Sequence, residues 1–425
     1  MGPQNMKVIA VRDRELDLSN SILASGKYRE HFLAQPEGSE PLVDVTGCGL
    51  IDDDEQLLPL VSSYLCRNYR NVLKADKTVV SYARRISYLV QDQKTKPEYE
   101  NSRRDDLLLS IGLGSLEVYL GRLDSAGLAP KTVQGRDAAY DHFFSKHLCI
   151  SLNGKPPIRT DNPYEHGPIR TGKANVKEIV QPCSMIELEQ MILHTKSERE
   201  RCMLQLIYDS GIRESELPRV TLQHIRDALE YQKLQYVSDD CNIPVNADYS
   251  PLHVQGSKGK KNEIVPRITL VSRTTLERIE NYHRSPLYHR YSQRIRDPNK
   301  TPAFFNSHGK AYTTKSVEKL FERVSERAKK SRKIKRKISA HKFRHGSAYL
   351  LLTSPDLGED YFQRLGMLSI GHGHSYTTTT EGYAQIPHDI YQKLCKPNSL
   401  IKTKCGEMHV LRKRTTIRIK TGDKK

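Results

Sequence analysis

Residues 371–383 read GHGHSYTTTTEGY, a stretch in which two histidines and four threonines precede Tyr383. Such a concentration of imidazole and hydroxyl groups raises the question of what these groups hold. Taken alone they are weak indicators of function, because a histidine such as His374 commonly bonds to a backbone carbonyl and Tyr383 is one of 22 tyrosines. Their interpretation depends on the other polar residues of the C-terminal half.

Four more polar residues of this half occupy positions suited to chemistry. They are Arg213 at a predicted turn between helices in SGIRESEL, Lys258 at a predicted β-turn in GSKGKKNEIVP, and His341 and Arg344 on one helical face in HKFRH. Each alone has a plain structural alternative, such as a surface ion pair, a solvated lysine or a packed histidine. Together with residues 371–383 they suit an anionic, oxygen-rich transition state, because arginine offers phosphate oxygens a planar fork of donors. Each preorganised donor of this kind is worth on the order of 10²- to 10³-fold in rate.

The order and spacing of these segments resemble the tyrosine recombinase (integrase) family. GIRESEL matches the family's first arginine box, KGKKNEIVP is similar to its β-hairpin lysine segment, and HKFRH matches its His-x-x-Arg-His box. GHSYTTTTEGY resembles the closing box, with nine positions from His374 to Tyr383. The resemblance spans roughly residues 56–390 and is specific only in the later part. One departure is the 30 positions between Arg344 and His374, several more than usual, with the extra length near TSPDLGEDYFQ.

The resemblance implies a role for each residue of the set. Tyr383 would attack a scissile DNA phosphate, forming a 3′-phosphotyrosyl bond and releasing a 5′-hydroxyl that later attacks back. Arg213 and Arg344 would hold the non-bridging oxygens. Lys258 would protonate the leaving 5′-oxygen, and His341 would accept or relay the tyrosine proton. The family's chemistry uses no metal, no ATP and no other cofactor.

The closing box contains two histidines, of which His374 is assigned the phosphate contact. His372 also follows a glycine, but its eleven-position distance to Tyr383 fits the family less well, and it is expected to be a neighbour of the site. In such a domain the spacing of residues 378–381 predicts a capping box that begins a short helix and presents Tyr383. The threonines are then mostly architecture.

Three further residues match the family's pattern less directly. Glu216 lies three positions beyond Arg213 and is expected to orient it. His345 and Lys261 also match family positions, and both a structural role and a phosphate contact stay open for them.

Hydrophobic periodicity divides the chain. Apolar residues recur at spacings of three and four through residues 56–150, which predicts four or five helices, while prolines and glycines interrupt the pattern afterwards. Short strands are predicted between about residues 229 and 270. With the functional names that the resemblance implies, the predicted regions are an N-terminal extension of irregular character (1–55), a helical core-binding DNA domain (56–150), an extended interdomain linker (151–180), a catalytic domain (181–390) and a basic C-terminal tail (391–425).

The expected fold class is mainly α with a small β-sheet (α+β). By resemblance, the helical core-binding domain and the tyrosine-recombinase catalytic domain would close around duplex DNA as a C-shaped clamp.

Composition limits the partners. The net charge is +18, which favours an acidic polymer such as nucleic acid, although a basic surface also serves solubility. No apolar stretch reaches the roughly 18 to 20 residues of a membrane span, and the N-terminus lacks the apolar core of a signal peptide. The eight cysteines are scattered, so neither disulfides nor a metal site is indicated. We expect a cytoplasmic, nucleoid-associated protein with no membrane partner.

A basic run precedes His341. In RAKKSRKIKRK, residues 327–337, eight of eleven residues are basic. A solvated disordered segment or a localisation signal is the alternative to contact with the DNA backbone, which its position favours. The expected DNA-binding residues of the run are Lys329, Lys330, Arg332, Lys333, Lys335, Arg336 and Lys337.

The residues after Tyr383 have two open interpretations. Family members commonly dock a C-terminal segment on a neighbouring protomer, so HDIYQKLC could help to form a homo-tetramer on DNA. The following CGEMHVLRKRTTIRIKTGDKK shows β-like alternation and many positive charges, which is typical of a DNA-contacting tail. Accessory DNA-bending proteins are further candidate partners.

These expectations combine into one functional hypothesis. The chain would be a site-specific recombinase that acts on double-stranded DNA at specific sites and exchanges strands through a Holliday junction, as the integrase or excision recombinase of a mobile element. A type IB topoisomerase that relaxes DNA is one alternative. A non-catalytic DNA-binding relative is another.

Overall fold

The computed structural model describes residues 6–17, 42–152, 154–170, 180–233, 248–258, 263–373 and 403–417, with backbone alone at residues 15–17, 42–44, 232–233 and 257–258. The described residues form two compact units, one ending at residue 170 and the other beginning at residue 180. Within these ranges, no helix combines the length and the apolar character needed to cross a bilayer.

The N-terminal unit is a hairpin on a group of helices. Its core is made by apolar and aromatic side chains from the second strand and from the helices, among them Leu65, Ile86 and Phe143. Its elements are β1 (Lys7–Asp17), β2 (Leu42–Ile51), α1 (Pro59–Arg70), α2 (Asp76–Lys94), α3 (Leu113–Ser125) and α4 (Pro130–Phe143).

The expectation of an irregular extension over residues 1–55 is wrong for the two strands. β1 and β2 pair antiparallel from Lys7 with Ile51 to Asp17 with Leu42. Leu50 is fully buried in the helical core, and its backbone N–H donates to the Ser62 hydroxyl of α1 at 3.0 Å. Glycines and charged residues interrupt the alternation of both strands, so their period-two pattern is weak, and packing on α1 stabilises them.

Part of the predicted linker is also packed. The buried Arg159 donates to the carbonyl oxygens of Leu108 and Ile111 at 3.1 and 2.8 Å. The Tyr164 hydroxyl donates to the Asp137 carboxylate at 2.9 Å. Residues 154–170 thus lie against the N-terminal unit rather than forming an extended connection, because composition reports missing periodicity but not missing contacts. Residues 171–179 lie outside the described residues.

The C-terminal unit is mostly helical with one hairpin. Because both sheets have only two strands, the predicted class, mainly α with a small β component, is confirmed. The elements of this unit are α5 (Met185–Leu193), α6 (Glu198–Ser210), α7 (Leu222–Lys233), β3 (Tyr249–Lys258), β4 (Ile264–Ser272), α8 (Arg273–His283), α9 (Pro286–Ser292), α10 (Thr314–Lys330), α11 (Ala340–Thr353), α12 (Tyr361–His372) and α13 (Lys404–Thr415).

Helix α6 is the central element of this unit. Residues Cys202 to Ser210 are all buried, so packing on every side rather than one apolar face holds the helix. It ends at Gly211, which has a left-handed φ of 63°. A Cβ on Gly211 would lie 2.1 Å from the Nε2 atom of His372, so only glycine allows the ends of α6 and α12 to meet.

The C-terminal residues 404–415 form a helix, so the predicted β-like alternation is wrong. Met408 and Leu411 of α13 belong to the core of the C-terminal unit, and the Lys404 ammonium pairs with the buried Asp209 carboxylate at 3.2 Å. This helix therefore packs within its own unit and does not form a free DNA-contacting tail. Met408, Leu411 and Thr415 recur at spacings of three and four, and the basic residues between them imitate alternation.

Candidate active site

The structure describes part of the predicted catalytic set. Arg213, Glu216, His341, Arg344 and His345 are described with their side chains. Lys258 is described by its backbone alone. Lys261, His374 and Tyr383 lie outside the described residues, as do residues 378–381 with their predicted capping box.

Three of the described residues meet at one cavity of about 560 Å³. Arg213 reaches it from the turn after α6, and His341 and Arg344 reach it from the first turns of α11. Lys337, from the basic run, lines the same cavity. Residues more than 120 positions apart in sequence therefore share one concavity.

Arg213 is held by Glu216. The Arg213 Nη1 atom donates to Glu216 Oε1 at 2.9 Å, and the Arg213 backbone N–H donates to Oε2 at 2.7 Å. The Glu216 side chain is fully buried, whereas 30% of the Arg213 side chain is exposed. The carboxylate thus fixes both the turn and its guanidinium, which keeps access to the cavity.

Arg344 is buried at the base of the site. Its Nη1 atom donates to the Gly211 carbonyl oxygen at 2.5 Å, and its Nη2 atom donates to the carbonyl oxygen of His372. These bonds join the end of α6 to the end of α12. Because arginine keeps its charge even when buried, they orient a permanent cation toward the cavity.

The last turn of α12 is held by arginines at three consecutive carbonyls. Gly371 accepts from Arg267, His372 from Arg344 and Gly373 from Arg213, the last at 3.4 Å. A helix C-terminus carries partial negative charge, so cations stabilise it. The turn ends one residue before His374, so these bonds fix the point at which the chain enters the closing box.

Arg267 was not among the predicted site residues. It lies in the apolar run IVPRITLV of β4, where a single charged residue indicates a buried ion pair. Its partner is Glu216, whose Oε2 atom accepts from Arg267 Nη2 at 2.6 Å. Burial lowers the pKa of Arg267, and the Glu216 charge opposes that shift.

His341 and His345 form a pair on α11. Their Nε2 atoms are 3.1 Å apart, so one Nε2 atom donates and the other accepts. The two Nε2 atoms therefore cannot both carry a proton. Partial burial, followed by the charge of Arg344, lowers the pKa of His341. His341 is therefore kept neutral and able to accept a proton.

His372 lies behind the cavity rather than in it. Its imidazole is buried against Gly211, and its carbonyl oxygen accepts from Arg344. Since His374 lies outside the described residues, the choice between His374 and His372 for the phosphate contact stays a prediction.

The hairpin that carries Lys258 is tied to the arginine turn. Lys258 is the last residue of β3 and pairs with Ile264. A bulge precedes it, where Gly256 has a φ of 107° and Arg219 Nη1 donates to the Gln255 and Gly256 carbonyl oxygens at 3.3 Å each. The backbone just before Lys258 is thus hydrogen-bonded to the segment that follows Arg213.

The basic run is ordered by apolar residues within it. Ala328 and Ile334 belong to the core of the unit, so the solvated disordered alternative does not hold. The exposed basic residues are Lys329, Lys330, Arg332, Lys333, Lys335 and Lys337.

Arg336 departs from the expectation of DNA contact. Its Nε and Nη2 atoms donate to the two Glu187 carboxylate oxygens at 2.7 and 2.8 Å, and its Nη1 atom donates to Gln181. These partners occupy its guanidinium and fasten the start of α5 to the run.

The loop with the extra length between Arg344 and the closing box is folded. After α11, residues Pro355–Leu357 form a short 3-10 helix. The Tyr249 hydroxyl of β3 donates to the Asp356 carboxylate at 2.8 Å. The added residues therefore pack against the start of the hairpin strand.

Comparison with known proteins places this site in a family. Residues 173–385, half of the chain, match the model of the phage integrase family. Tyrosine recombinase XerC of Chlamydia pneumoniae is 26% identical over 278 residues, which cover 64% of this chain and 72% of that protein. XerC of Anoxybacillus flavithermus is 27% identical over 290 residues, covering 66% of this chain and 80% of its own.

Among solved structures, a XerH site-specific recombinase bound to a palindromic difH substrate matches with 16% identity and a TM-score of 0.49, covering 74% of this chain and 77% of its own. From the family match, and the two XerC relatives, this chain belongs to the phage integrase family and is a tyrosine recombinase.

Proposed function

We propose that this recombinase cuts and rejoins double-stranded DNA through a 3′-phosphotyrosine bond to Tyr383. It exchanges strands through a Holliday junction, as the integrase or excision recombinase of a mobile element. The observation that carries the proposal is the convergence of Arg213, His341 and Arg344 on one cavity. A phosphodiester bound there meets two guanidinium groups and an imidazole that accepts protons.

Charge on the transferred phosphoryl group is the main demand of this reaction. As the Tyr383 oxygen bonds to phosphorus and the bond to the 5′-oxygen breaks, charge accumulates on the non-bridging oxygens. Arg213 and Arg344 meet that charge as preorganised donors, which need no reorganisation during the step. Their positions are set by Glu216 and by the carbonyls of Gly211 and His372.

Two proton transfers complete the exchange. The tyrosine proton passes to His341, whose lowered pKa keeps the imidazole neutral, and Lys258 protonates the departing 5′-oxygen. His374 donates to a non-bridging oxygen. Religation reverses each transfer, so the phosphodiester is restored without ATP or a metal.

The partner is duplex DNA at specific sites. The exposed lysines of residues 329–337 adjoin the cavity through Lys337 and supply positive charge for the DNA backbone. A homo-tetramer, with accessory DNA-bending proteins, assembles there in the cytoplasm.

A covalent adduct tests the proposal. The full chain is incubated with nicked suicide duplexes cut from the DNA that flanks its own coding sequence, with a chelator and without ATP, and resolved on a denaturing gel. We expect an adduct that Tyr383→Phe abolishes and that Tyr376→Phe, the matched control in the same stretch, retains. An adduct that persists in Tyr383→Phe would assign the nucleophile elsewhere.

Strand exchange separates recombination from relaxation. Two labelled duplexes in the same reaction should yield a four-way junction on a native gel. Relaxation of supercoiled plasmid without any junction would favour a topoisomerase, and tight binding without any adduct would favour a DNA-binding relative.

A further inference from the structure

Arg267 connects two parts of the candidate site. It lies in the middle of β4 with only 6% of its side chain exposed, so it has no surface to offer to DNA. One end of its guanidinium donates to Glu216 Oε2 at 2.6 Å, and the other donates to the Gly371 carbonyl oxygen. Glu216 orients Arg213, and Gly371 belongs to the last turn before His374.

The charges in this cluster depend on one another. Glu216 is fully buried and its carboxylate is shared between Arg213 and Arg267. Without Arg267, Arg213 alone would balance the negative charge of Glu216. A phosphate would then have to compete with the whole Glu216 charge for the Arg213 guanidinium. Arg267 therefore balances the carboxylate from behind while Arg213 faces the cavity.

The shape of the side chain is also specific. A guanidinium is a planar fork that reaches two acceptors at once, whereas the lysine ammonium is a single point charge on a flexible stem. Only arginine at this position links the Glu216 carboxylate to the carbonyl of Gly371.

We propose that Arg267 is a positioning residue for the recombinase reaction: through Glu216 it sets the orientation of Arg213, and through Gly371 it sets the turn that leads to His374. This inference rests on the proposed function. Because Arg267 acts only through its neighbours, it affects the rate of the chemical step and not the affinity for DNA.

The first test compares cleavage with binding. In the full chain, Arg267→Lys keeps the positive charge and loses the planar fork. The matched control is Arg273→Lys, because Arg273 forms an exposed ion pair with Glu277 just after the same strand. We expect Arg267→Lys to slow single-turnover cleavage of saturating suicide duplex by about 10²-fold, since small misplacement of a reacting group costs that much. Its DNA dissociation constant should stay near that of the control. A cleavage rate equal to the control's would overturn the proposal.

A double-mutant cycle asks whether Arg267 acts through Glu216. Residues in one network show non-additive effects. In a Glu216→Gln background, adding Arg267→Lys should cost far less than it costs alone. If the losses in cleavage rate were fully additive, Arg267 would be a structural residue only. The same conclusion would follow if the loss in every variant paralleled its melting temperature.

A readout without catalysis separates the two proposals. The Nε–H signal of Arg213, assigned by Arg213→Lys in protein labelled with ¹⁵N-arginine, reports how firmly Glu216 holds that guanidinium in the DNA-free protein. Arg267→Lys should shift and broaden it, and Arg273→Lys should not. If wild type forms no adduct but this signal responds, the proposed function fails and the positioning link stands. An unchanged signal overturns the link itself.

Discussion

The imidazole of His372 lies where a side chain on Gly211 would be, since a Cβ there would be 2.1 Å from Nε2. The carbonyl oxygens of the same two residues are the acceptors that hold Arg344. The contact between the two helix ends therefore also sets the position of a candidate catalytic arginine.

Gly211→Ala should damage both stability and cleavage. The substitution adds left-handed strain of roughly 1 to 2 kcal/mol and a steric clash of about 1 to 3 kcal/mol. Displacing His372 moves an acceptor of Arg344, so adduct formation should fall as well. Urea unfolding and the suicide-duplex assay measure the two effects. Gly127→Ala is the control, because Gly127 has a φ of 76° with no atom within 4 Å of a Cβ and tests the strain alone. Equal losses in the two variants would contradict the steric argument.

Asp105 should make the N-terminal unit less stable as pH rises. It is fully buried, and this burial raises the pKa of its carboxyl to about 6. Because the folded pKa lies above the unfolded value, its favourable contribution is complete below pH 4 and is lost as pH rises through 6, by about 3 kcal/mol.

Asp105→Asn tests this contribution. The amide keeps an acceptor for the Val61 N–H, now bonded at 2.9 Å, without the charge. Calorimetry between pH 4 and 7.5 should show a higher melting temperature for the variant at pH 7 and a smaller difference at pH 4. Asp106→Asn, at the exposed neighbouring position, should leave the profile unchanged.

His147 should have the opposite pH dependence. Burial between Tyr64 and Phe143 lowers the pKa of its imidazole to about 4. The folded state holds the neutral ring, so its contribution is complete above pH 6.5 and is lost as pH falls toward 4. His147→Leu should flatten the acid side of the stability profile, and His166→Leu, at an exposed position, should not. If the acid side of the stability profile were unchanged in His147→Leu, His147 would not titrate between pH 6.5 and 4.

The sequence predicted the residues of the candidate site better than the residues that position them. Arg213, His341 and Arg344 were identified because the order and spacing of their segments resemble the boxes of the family, and the structure brings all three to one cavity. Arg267 was missed because its partners, Glu216 and Gly371, are distant in sequence and become neighbours only through the packing of β4.

Errors in the fold have a similar origin. Residues 404–415 carry basic side chains that imitate strand alternation, and only the core formed by α6, α8 and α13 determines that they are helical. In residues 154–170 the anchors are single side chains such as Arg159 and Tyr164, which no periodic pattern reports. Local patterns predict elements, whereas these contacts depend on tertiary structure.

Lys404→Met should destabilise the C-terminal unit strongly. Lys404 and Asp209 are both buried, and removing one partner of a buried ion pair costs about 3 to 5 kcal/mol. Lys413→Met, at an exposed position of the same helix, should change the free energy of unfolding by less than about 0.5 kcal/mol. Urea unfolding compares the two. Equal stabilities would mean that α13 is not anchored by this pair.

The basic run should divide into DNA-contacting and structural residues. Lys333 is exposed and free to neutralise a phosphate, so Lys333→Ala should lower the slope of log Kd against log salt by about 1 with little change in melting temperature. Arg336 instead pairs with Glu187, so Arg336→Ala should lower the melting temperature and leave the slope nearly unchanged. Fluorescence anisotropy with duplex DNA from 50 to 300 mM salt measures the slopes, and calorimetry measures the stabilities. If Arg336→Ala lowered the slope as Lys333→Ala does, its guanidinium would have to leave Glu187 when DNA binds, and the ion pair seen here would belong to the DNA-free state only.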